Sequence, residues 1–188
     1  ELVKFYGRGD SPPTRDTSDL YCYFFVRANQ LLREGGVQIF ICSNSWLDTE
    51  FGADLQQYLL QNAHIISLID SRMEKQFSDA DVNTIISVIR KSIPGDTQFI
   101  MLEKEFEDSL QNQSLATTRV VSQSSLFQSA LSEREEYLGQ RLSLYHRAPE
   151  IYLHLTSLLN SSSKTLKEYA KVTRGSTTGN NAFFYFFN

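Results

Sequence analysis

Gly35-Gly36-Val37-Gln38-Ile39-Phe40-Ile41-Cys42 is the stretch on which the fold turns. The run after the two glycines is short and mostly apolar, as expected of a strand buried on both faces of a sheet. Working outward, Ser18 or Asp19 caps a helix predicted over 20–33. Leu20, Phe24, Ala28, Leu31 and Leu32 fall on one apolar face of it, opposite Arg27, Gln30 and Arg33. Gly35-Gly36 ends that helix, because glycine accepts the left-handed backbone that follows a helix C-terminus. Downstream, 43–48 reads as a loop. Asp48 or Thr49 caps a second helix reaching about Asn62, with Phe51, Leu55, Tyr58 and Leu59 on one side. Ile65-Ile66-Ser67-Leu68-Ile69 is a second buried strand. A polar connection over 70–81 is interrupted by Phe77, and the β-branched run 82–89 is a third strand. Helix, strand, helix, strand, connection and strand in that order predict an α/β sheet covered by helices.

The flanks carry less pattern. Residues 1–17 are polar, broken by Gly7, Gly9, Pro12 and Pro13, and read as loop. The segment 97–102 reads as one more strand. The Ser- and Gln-rich stretch 112–136 carries a helical signal, and 148–159 predicts a short helix with Pro149 well placed in its first turn. Ser161-Ser162-Ser163 interrupts it. The end combines a Gly/Thr/Asn-rich turn with the run Phe183-Phe184-Tyr185-Phe186-Phe187, which reads as a strand. The expected organisation is therefore a loop (1–17), an α/β core (18–110), a mainly helical linker (111–164) and the opening of a further domain (165–188).

Composition narrows the class. The 188 residues are 41% apolar, enough for a real core. No stretch approaches the roughly 18 consecutive apolar residues of a membrane span. The chain starts at Glu1 with neither an initiator Met nor a signal pattern, which reads as a piece of something longer. Cys22 and Cys42 lie in apolar runs and read as buried free thiols, favouring a cytoplasmic setting. His64, His146 and His154 have no partner spacing that suggests a metal or a triad, so no metal and no catalytic residue is assigned. Net charge is −4, but its distribution is uneven. Residues 1–140 hold 12 Lys/Arg against 20 Asp/Glu, whereas 141–188 hold 6 against 2. A polyanion partner for the basic end would explain that asymmetry, and so would chance. Arg8-Gly9-Asp10 is the adhesion tripeptide without any secretion signal and reads as coincidence.

Four stretches, taken in order, resemble amino-methyltransferases of the gamma type. The match is closer to the adenine-specific DNA enzymes of the fused restriction–modification (type IIG-like) kind. Asp19-Leu20-Tyr21-Cys22-Tyr23-Phe24 looks like the helix start after the catalytic strand. Gly35-Gly36 through Asn44-Ser45-Trp46-Leu47 looks like the next strand and its loop, with Ser43 replacing the usual proline. Phe77 with Asp81-Val82-Asn83-Thr84 looks like the loop feeding the last strand. Arg147-Ala148-Pro149-Glu150-Ile151-Tyr152, then Gly175 through Asn180 and Phe183-Phe184-Tyr185, resemble the junction into a target-recognition domain. Each string alone is weak; their order and spacing across 19–187 carry the resemblance.

The resemblance implies the C-terminal part of a Rossmann-like methyltransferase sheet. About three strands with flanking helices are expected, the last two as a hairpin, followed by a helical linker and the start of a mixed or β recognition domain. The implied activity is methyl transfer from S-adenosylmethionine to the amino group of adenine in double-stranded DNA. Phe77 is then the aromatic wall against the flipped base, where stacking is worth roughly 1–3 kcal/mol; as a lone aromatic in a polar connection it could equally tuck into the core. Leu20 and Phe24 would border the cofactor pocket, or form an ordinary core face. Lys75, Lys171, Arg174, Thr178 and Asn180 would meet DNA, or occupy a surface hairpin. Trp46 is expected beneath its loop, and Asn44 and Asn83 are expected to anchor turns. Ser11-Pro12-Pro13-Thr14 only faintly resembles the catalytic Asn/Asp-Pro-Pro-Tyr, lacking the amide and the aromatic, and is read as loop. The glycine-rich cofactor loop is also missing. The chain alone is therefore expected to bind no cofactor and transfer no methyl group. A non-catalytic DNA- or protein-binding α/β module is the competing reading; a methyltransferase acting on RNA or protein is disfavoured by the recognition-domain resemblance. Family sheets place strand 37–42 beside the missing catalytic strand, so an unpaired edge is expected, either self-associating or covered.

Overall fold

The computed structural model describes residues 18–72, 83–104, 108, 116–159, 164, 166–171 and 173. Two units are distinguished, Glu1–Ala148 and Pro149–Asn188.

The first unit begins with α1 (Leu20–Leu31), β1 (Val37–Ser43), a 3-10 turn (Asn44–Leu47) and α2 (Gly52–Asn62). It continues with β2 (His64–Ser71), β3 (Thr84–Arg90), β4 (Asp96–Leu102), β5 (Ala116–Ser122), α3 (Gln123–Gln128) and α4 (Leu144–Arg147). The strands form one mixed sheet in the order β1-β3-β2-β4-β5. β3 runs antiparallel to both β1 and β2, β2 and β4 are parallel, and β5 returns antiparallel to β4. The expected hairpin is thus β2–β3, and the sheet has five strands where about three were expected. β5 is the main surprise, since 112–136 was expected to be helical. The run Ala116-Thr117-Thr118-Arg119-Val120-Val121 is β-branched enough to pair with β4, and helix begins only at Gln123.

Side chains alternate across the pleat. One row runs Phe40, Ser87, Leu68, Phe99 and Arg119 through the paired registers. This face holds the core, with Ile65, Leu68, Ile85, Ile89 and Phe99 at most 1% exposed. α1 covers it with Phe25, whose ring lies 4.9 Å from Phe40 and 5.8 Å from Trp46. α2 adds Leu55, Tyr58 and Leu59, as its sequence spacing predicts. Trp46 is fully buried under the 3-10 turn, as expected. The neighbouring row, Ile41, Ile86, Ile69, Ile100 and Thr118, points to the other face. Among the described residues that face is largely uncovered: these five side chains are exposed or half-buried, and Ser67 and Leu102 are its buried members.

Two expectations about the apolar surfaces need correction. β1 is not buried on both faces: Gln38 is buried, while Val37, Ile39 and Ile41 are 43%, 66% and 46% exposed. α1 turns the other way from the expected one. Cys22, Phe25, Val26 and Asn29 face the core, and Leu20, Phe24 and Leu31 are exposed. The helix is apolar nearly all round, so periodicity alone did not choose a side. Asn29 completes the buried face because its Nδ2 donates to Tyr58 Oη at 3.0 Å, a polar link across the α1–α2 contact.

The helix was expected to run to Arg33 and be ended by Gly35-Gly36; it stops at Leu31 with Leu32 extended, and the glycines instead form the turn into β1. Gly35 is left-handed (φ +74°), and the turn exchanges backbone hydrogen bonds with Lys91 at 2.8 Å each way. Lys91 Nζ also donates to Leu32 O at 2.7 Å, a cation on the carbonyls at the end of α1.

In the second unit α5 (Glu150–Leu159) and α6 (Leu166–Tyr169) are described. Pro149 accepts from Tyr152 N at 3.0 Å, so the predicted helix start is in place. Ile151, Leu155 and Leu158, at i, i+4 and i+7, are exposed.

Candidate functional site

The carboxyl ends of β1 and β2 and the amino end of β3 meet at one rim of the sheet. Ser43 pairs with Thr84, and Ile69 with Ile86. In open α/β sheets ligands bind outside the carboxyl ends of strands, so this rim is the place to look. The amino end of α1 reaches it through Tyr21, whose hydroxyl lies 2.9 Å from Ser45 Oγ. Ser43 Oγ donates to Ser45 Oγ at 3.0 Å and accepts from Ser45 N at 3.3 Å, and Asn44 N donates to Asn83 O at 3.0 Å. The Asn44-Ser45-Trp46-Leu47 turn is therefore pinned from both sides, and Asn44 and Asn83 anchor it through their backbones. Burial pushes the Tyr21 phenol up to about 12, and the Cys22 and Cys42 thiols likewise to about 12. Both cysteines are free, Cys22 buried and Cys42 half-buried. At neutral pH none of these groups supplies a nucleophile or a base.

The connection between β2 and β3 leaves and returns at the same rim. Lys75 and Phe77 belong to that connection and lie outside the described residues. Its root is held by a buried carboxylate: Asp70, 3% exposed, accepts from Ser71 N at 2.9 Å and from Arg147 Nη2 at 2.8 Å. Arg147 comes from α4, whose last turn Arg119 steadies by donating to Tyr145 O at 2.8 Å and to Ala148 O. Thus the stretch Arg147-Ala148, singled out in the sequence, is tied to the end of β2.

His146 lies beside this pair, 4% exposed, with its ring 5.2 Å from Phe99. Nε2 donates to Leu68 O at 2.8 Å, which leaves Nδ1 buried without a partner. Burial lowers its pKa below the ordinary 6.5, with Arg147 and Arg119 adding to that and Asp70 opposing it. A proton therefore binds the unfolded chain more readily than the folded one. Stability conferred by the neutral ring is complete above pH 6.5 and is lost as pH falls below it, toward the folded-state pKa. The urea midpoint should drop in that window, and the slope should flatten in His146→Gln. An equal slope in the variant would remove His146 as the cause.

Of the remaining expected site residues, Leu20 and Phe24 lie one turn apart on the exposed stripe of α1, 58% and 55% exposed. They are not part of the core. Lys171 is exposed in the second unit, and in that unit Lys164 Nζ stands 6.0 Å above the Tyr169 ring. Arg174, Thr178 and Asn180 lie outside the described residues. Among the described residues no group of three or more His, Cys, Asp or Glu could hold a metal, and no helix is long and apolar enough to cross a membrane. Sequence reasoning missed Asp70, Arg119 and Arg147 as an anchor; an Asp closing an apolar strand, with no charge beside it in sequence, is the one signal it offered.

Residues 2–77 match the family of Eco57I restriction-modification methylases. The chain is related through that segment to restriction-modification DNA methyltransferases. Solved structures agree on the fold: the five-stranded mixed sheet is like part of a methyltransferase Rossmann fold. A modification subunit of a type I restriction enzyme from Vibrio vulnificus YJ016 superposes with a TM-score of 0.60 at 15% identity, over 76% of this chain and 35% of that one. The type IIG restriction endonuclease BpuSI gives 0.50 at 14% identity, over 73% of this chain and 17% of that one. The chain thus spans about a third or less of the length of these proteins.

Proposed function

We propose that this chain is part of a site-specific DNA methyltransferase of a restriction-modification system, transferring a methyl group from S-adenosylmethionine to the amino group of adenine. The observation that carries the reading is the convergence at one sheet rim. The α1 start, the Asn44–Leu47 turn and the root of the Phe77 connection come together there, inside the segment that matches the methylase family. In this reading Leu20 and Phe24 border the cofactor on the uncovered side of α1, and Phe77 is the wall against the flipped adenine. Lys75, Lys171, Arg174, Thr178 and Asn180 meet double-stranded DNA, and the place of action is the cytoplasm. When bound, the cofactor supplies an electrophilic sulfonium methyl. What these residues do is enclose it and hold the base out of the stack, at an unstacking cost of a few kcal/mol.

The 188 residues hold neither a glycine-rich cofactor loop after a first strand nor an Asn-Pro-Pro-Tyr-type motif, so the chain alone is proposed to be inactive. The test uses the product of the whole gene and this chain side by side. The whole protein should leave N6-methyladenine in digested plasmid DNA, the chain alone none. Phe77→Ala in the whole protein should lower kcat/KM about 10- to 100-fold, the weight of one stacked base. Methylation of cytosine carbon, or none by the whole protein, would overturn the reading. Salt-sensitive DNA binding by a whole protein that never transfers a methyl group would favour a non-catalytic module instead.

A further inference from the structure

α4 is a single turn, fastened to the sheet largely through polar groups. His146 Nε2 donates to Leu68 O and Arg147 Nη2 to Asp70 Oδ2, each at 2.8 Å, both near the end of β2. From β5, Arg119 donates to Tyr145 O at 2.8 Å and to Ala148 O. The Tyr145 ring adds an apolar contact, 4.8 Å from that of Phe99. Asp70 is 3% exposed, and removing its charge from water costs about as much as the guanidinium returns. The ion pair is therefore a poor source of stability. What it supplies is geometry. Asp70 Oδ1 accepts from Ser71 N at 2.9 Å while Oδ2 holds Arg147, so one carboxylate fixes two stretches of backbone. Arg72 continues the pattern: its N donates to Leu102 O at 3.0 Å and its Nη1 stands 3.3 Å from Glu103 Oε2. Two exits of the chain meet at this lock. After β2 it leaves for the connection to β3, and after Ala148 it enters the second unit.

We propose that Asp70 and Arg147 are positioning residues for methyl transfer. Their ion pair sets the end of β2, where the connection bearing Phe77 begins, against the turn from which the chain enters the second unit. This rests on the methyltransferase reading, in which Phe77 faces the flipped base. Neither residue touches base or cofactor. Their part is to keep the rim in register while the base is out of the stack, so they act on the transfer step. Cofactor affinity is left alone, because Leu20 and Phe24 lie on α1, away from this lock.

The test uses the whole protein on plasmid DNA, with the single-turnover rate of methyl transfer, the Kd for S-adenosylmethionine and the melting temperature measured on each variant. Asp70→Asn, Arg147→Met and the double variant are compared with the parent. Arg147→Met alone leaves a buried charge unpaired and endangers the fold. The double variant leaves no charge behind, and such replacements are often neutral for stability. The expected result for it is a rate lower by about 10- to 100-fold, the scale of a misplacement of about 1 Å. Its cofactor Kd should stay within about twofold of the parent's and its melting temperature within about 3 °C. Because the pair acts as a unit, the double variant should be no slower than the slower single one. A double variant with the parent's rate would show that the pair positions nothing. A rate loss matched by an equal loss of cofactor affinity, or by a lower melting temperature, would make the pair a structural brace alone. A parent that transfers no methyl group would remove the methyltransferase reading itself, and this proposal with it.

Discussion

Gly52→Ala is expected to cost the first unit about 3 kcal/mol or more, beyond the usual range for one added methyl in a packed site. Gly52 opens α2 and is buried against the 3-10 turn. A β-carbon there would fall 2.0 Å from Trp46 O, 2.6 Å from Trp46 C and 2.7 Å from Trp46 Cα. All three are backbone atoms, so no rotamer change relieves the clash; α2 or the turn must move as a body. Either movement loosens Trp46, the largest fully buried side chain. It also strains the pinned Ser43–Ser45 corner of the rim. At roughly 2–4 °C per kcal/mol for a unit of this size, thermal denaturation should show a loss of about 6–12 °C, with a red-shifted Trp46 emission. A variant melting within a degree or two of the parent would mean that the close approach is not needed for the fold.

That glycine shows where sequence legibility ended. The strand 37–42, the second helix and the strands that became β2 and β3 were written in local patterns of period, whereas the pairing of β2 with β3 came from the family resemblance. Their boundaries held to within a few residues. The side that α1 buries was not, because Leu20 and Phe24 are as apolar as Cys22, Phe25 and Val26, and only the tertiary partner decides. β5 was hidden by its neighbours, since its six-residue β-branched run is flanked by Ser and Gln that dilute any window spanning it. At the rim, the turn around Asn44 was foreseen as an anchor, whereas the Asp70–Arg147 tie joins residues 77 positions apart. No local pattern reports such a pair. Buried glutamines were equally silent. Gln123 receives Ile65 N on Oε1 at 2.9 Å and donates to Ala63 O at 2.9 Å, closing backbone groups that no strand or helix satisfies. A glutamine that falls on the apolar side of a helix is the only clue available, and Gln56 gives the same clue in α2.

Gln56→Leu is the second large expected effect, and its signature differs from that of the glycine. Gln56 is fully buried. Its Nε2 donates to Trp46 O at 2.9 Å and to Gln140 O at 3.0 Å, and lies 3.1 Å from Leu47 O. Its Oε1 accepts from Gln140 N at 2.9 Å and Tyr137 Oη at 3.0 Å. One side chain thus fastens 137–140 to α2 and to the 3-10 turn. Leucine has a similar volume, so no cavity forms, but the buried Trp46 O and the part-buried Gln140 backbone groups and Tyr137 hydroxyl lose a partner. At about 1–3 kcal/mol for each buried group left unsatisfied, the loss should reach about 3–5 kcal/mol if the segment stayed in place. Peeling 131–142 away from α2 lets water satisfy those groups at a lower cost, so local opening should precede global unfolding. Arg134 and Arg141 flank the fastened segment and are exposed. Trypsin under native conditions should therefore cut at these two sites at least tenfold faster in Gln56→Leu, while the sheet amides of β2 and β3 keep most of their protection. Gly52→Ala, by contrast, should weaken the sheet and the segment together. Equal cleavage of Gln56→Leu and parent, or simultaneous loss of protection in β2 and β3, would show that Gln56 does not act as the fastener of this segment.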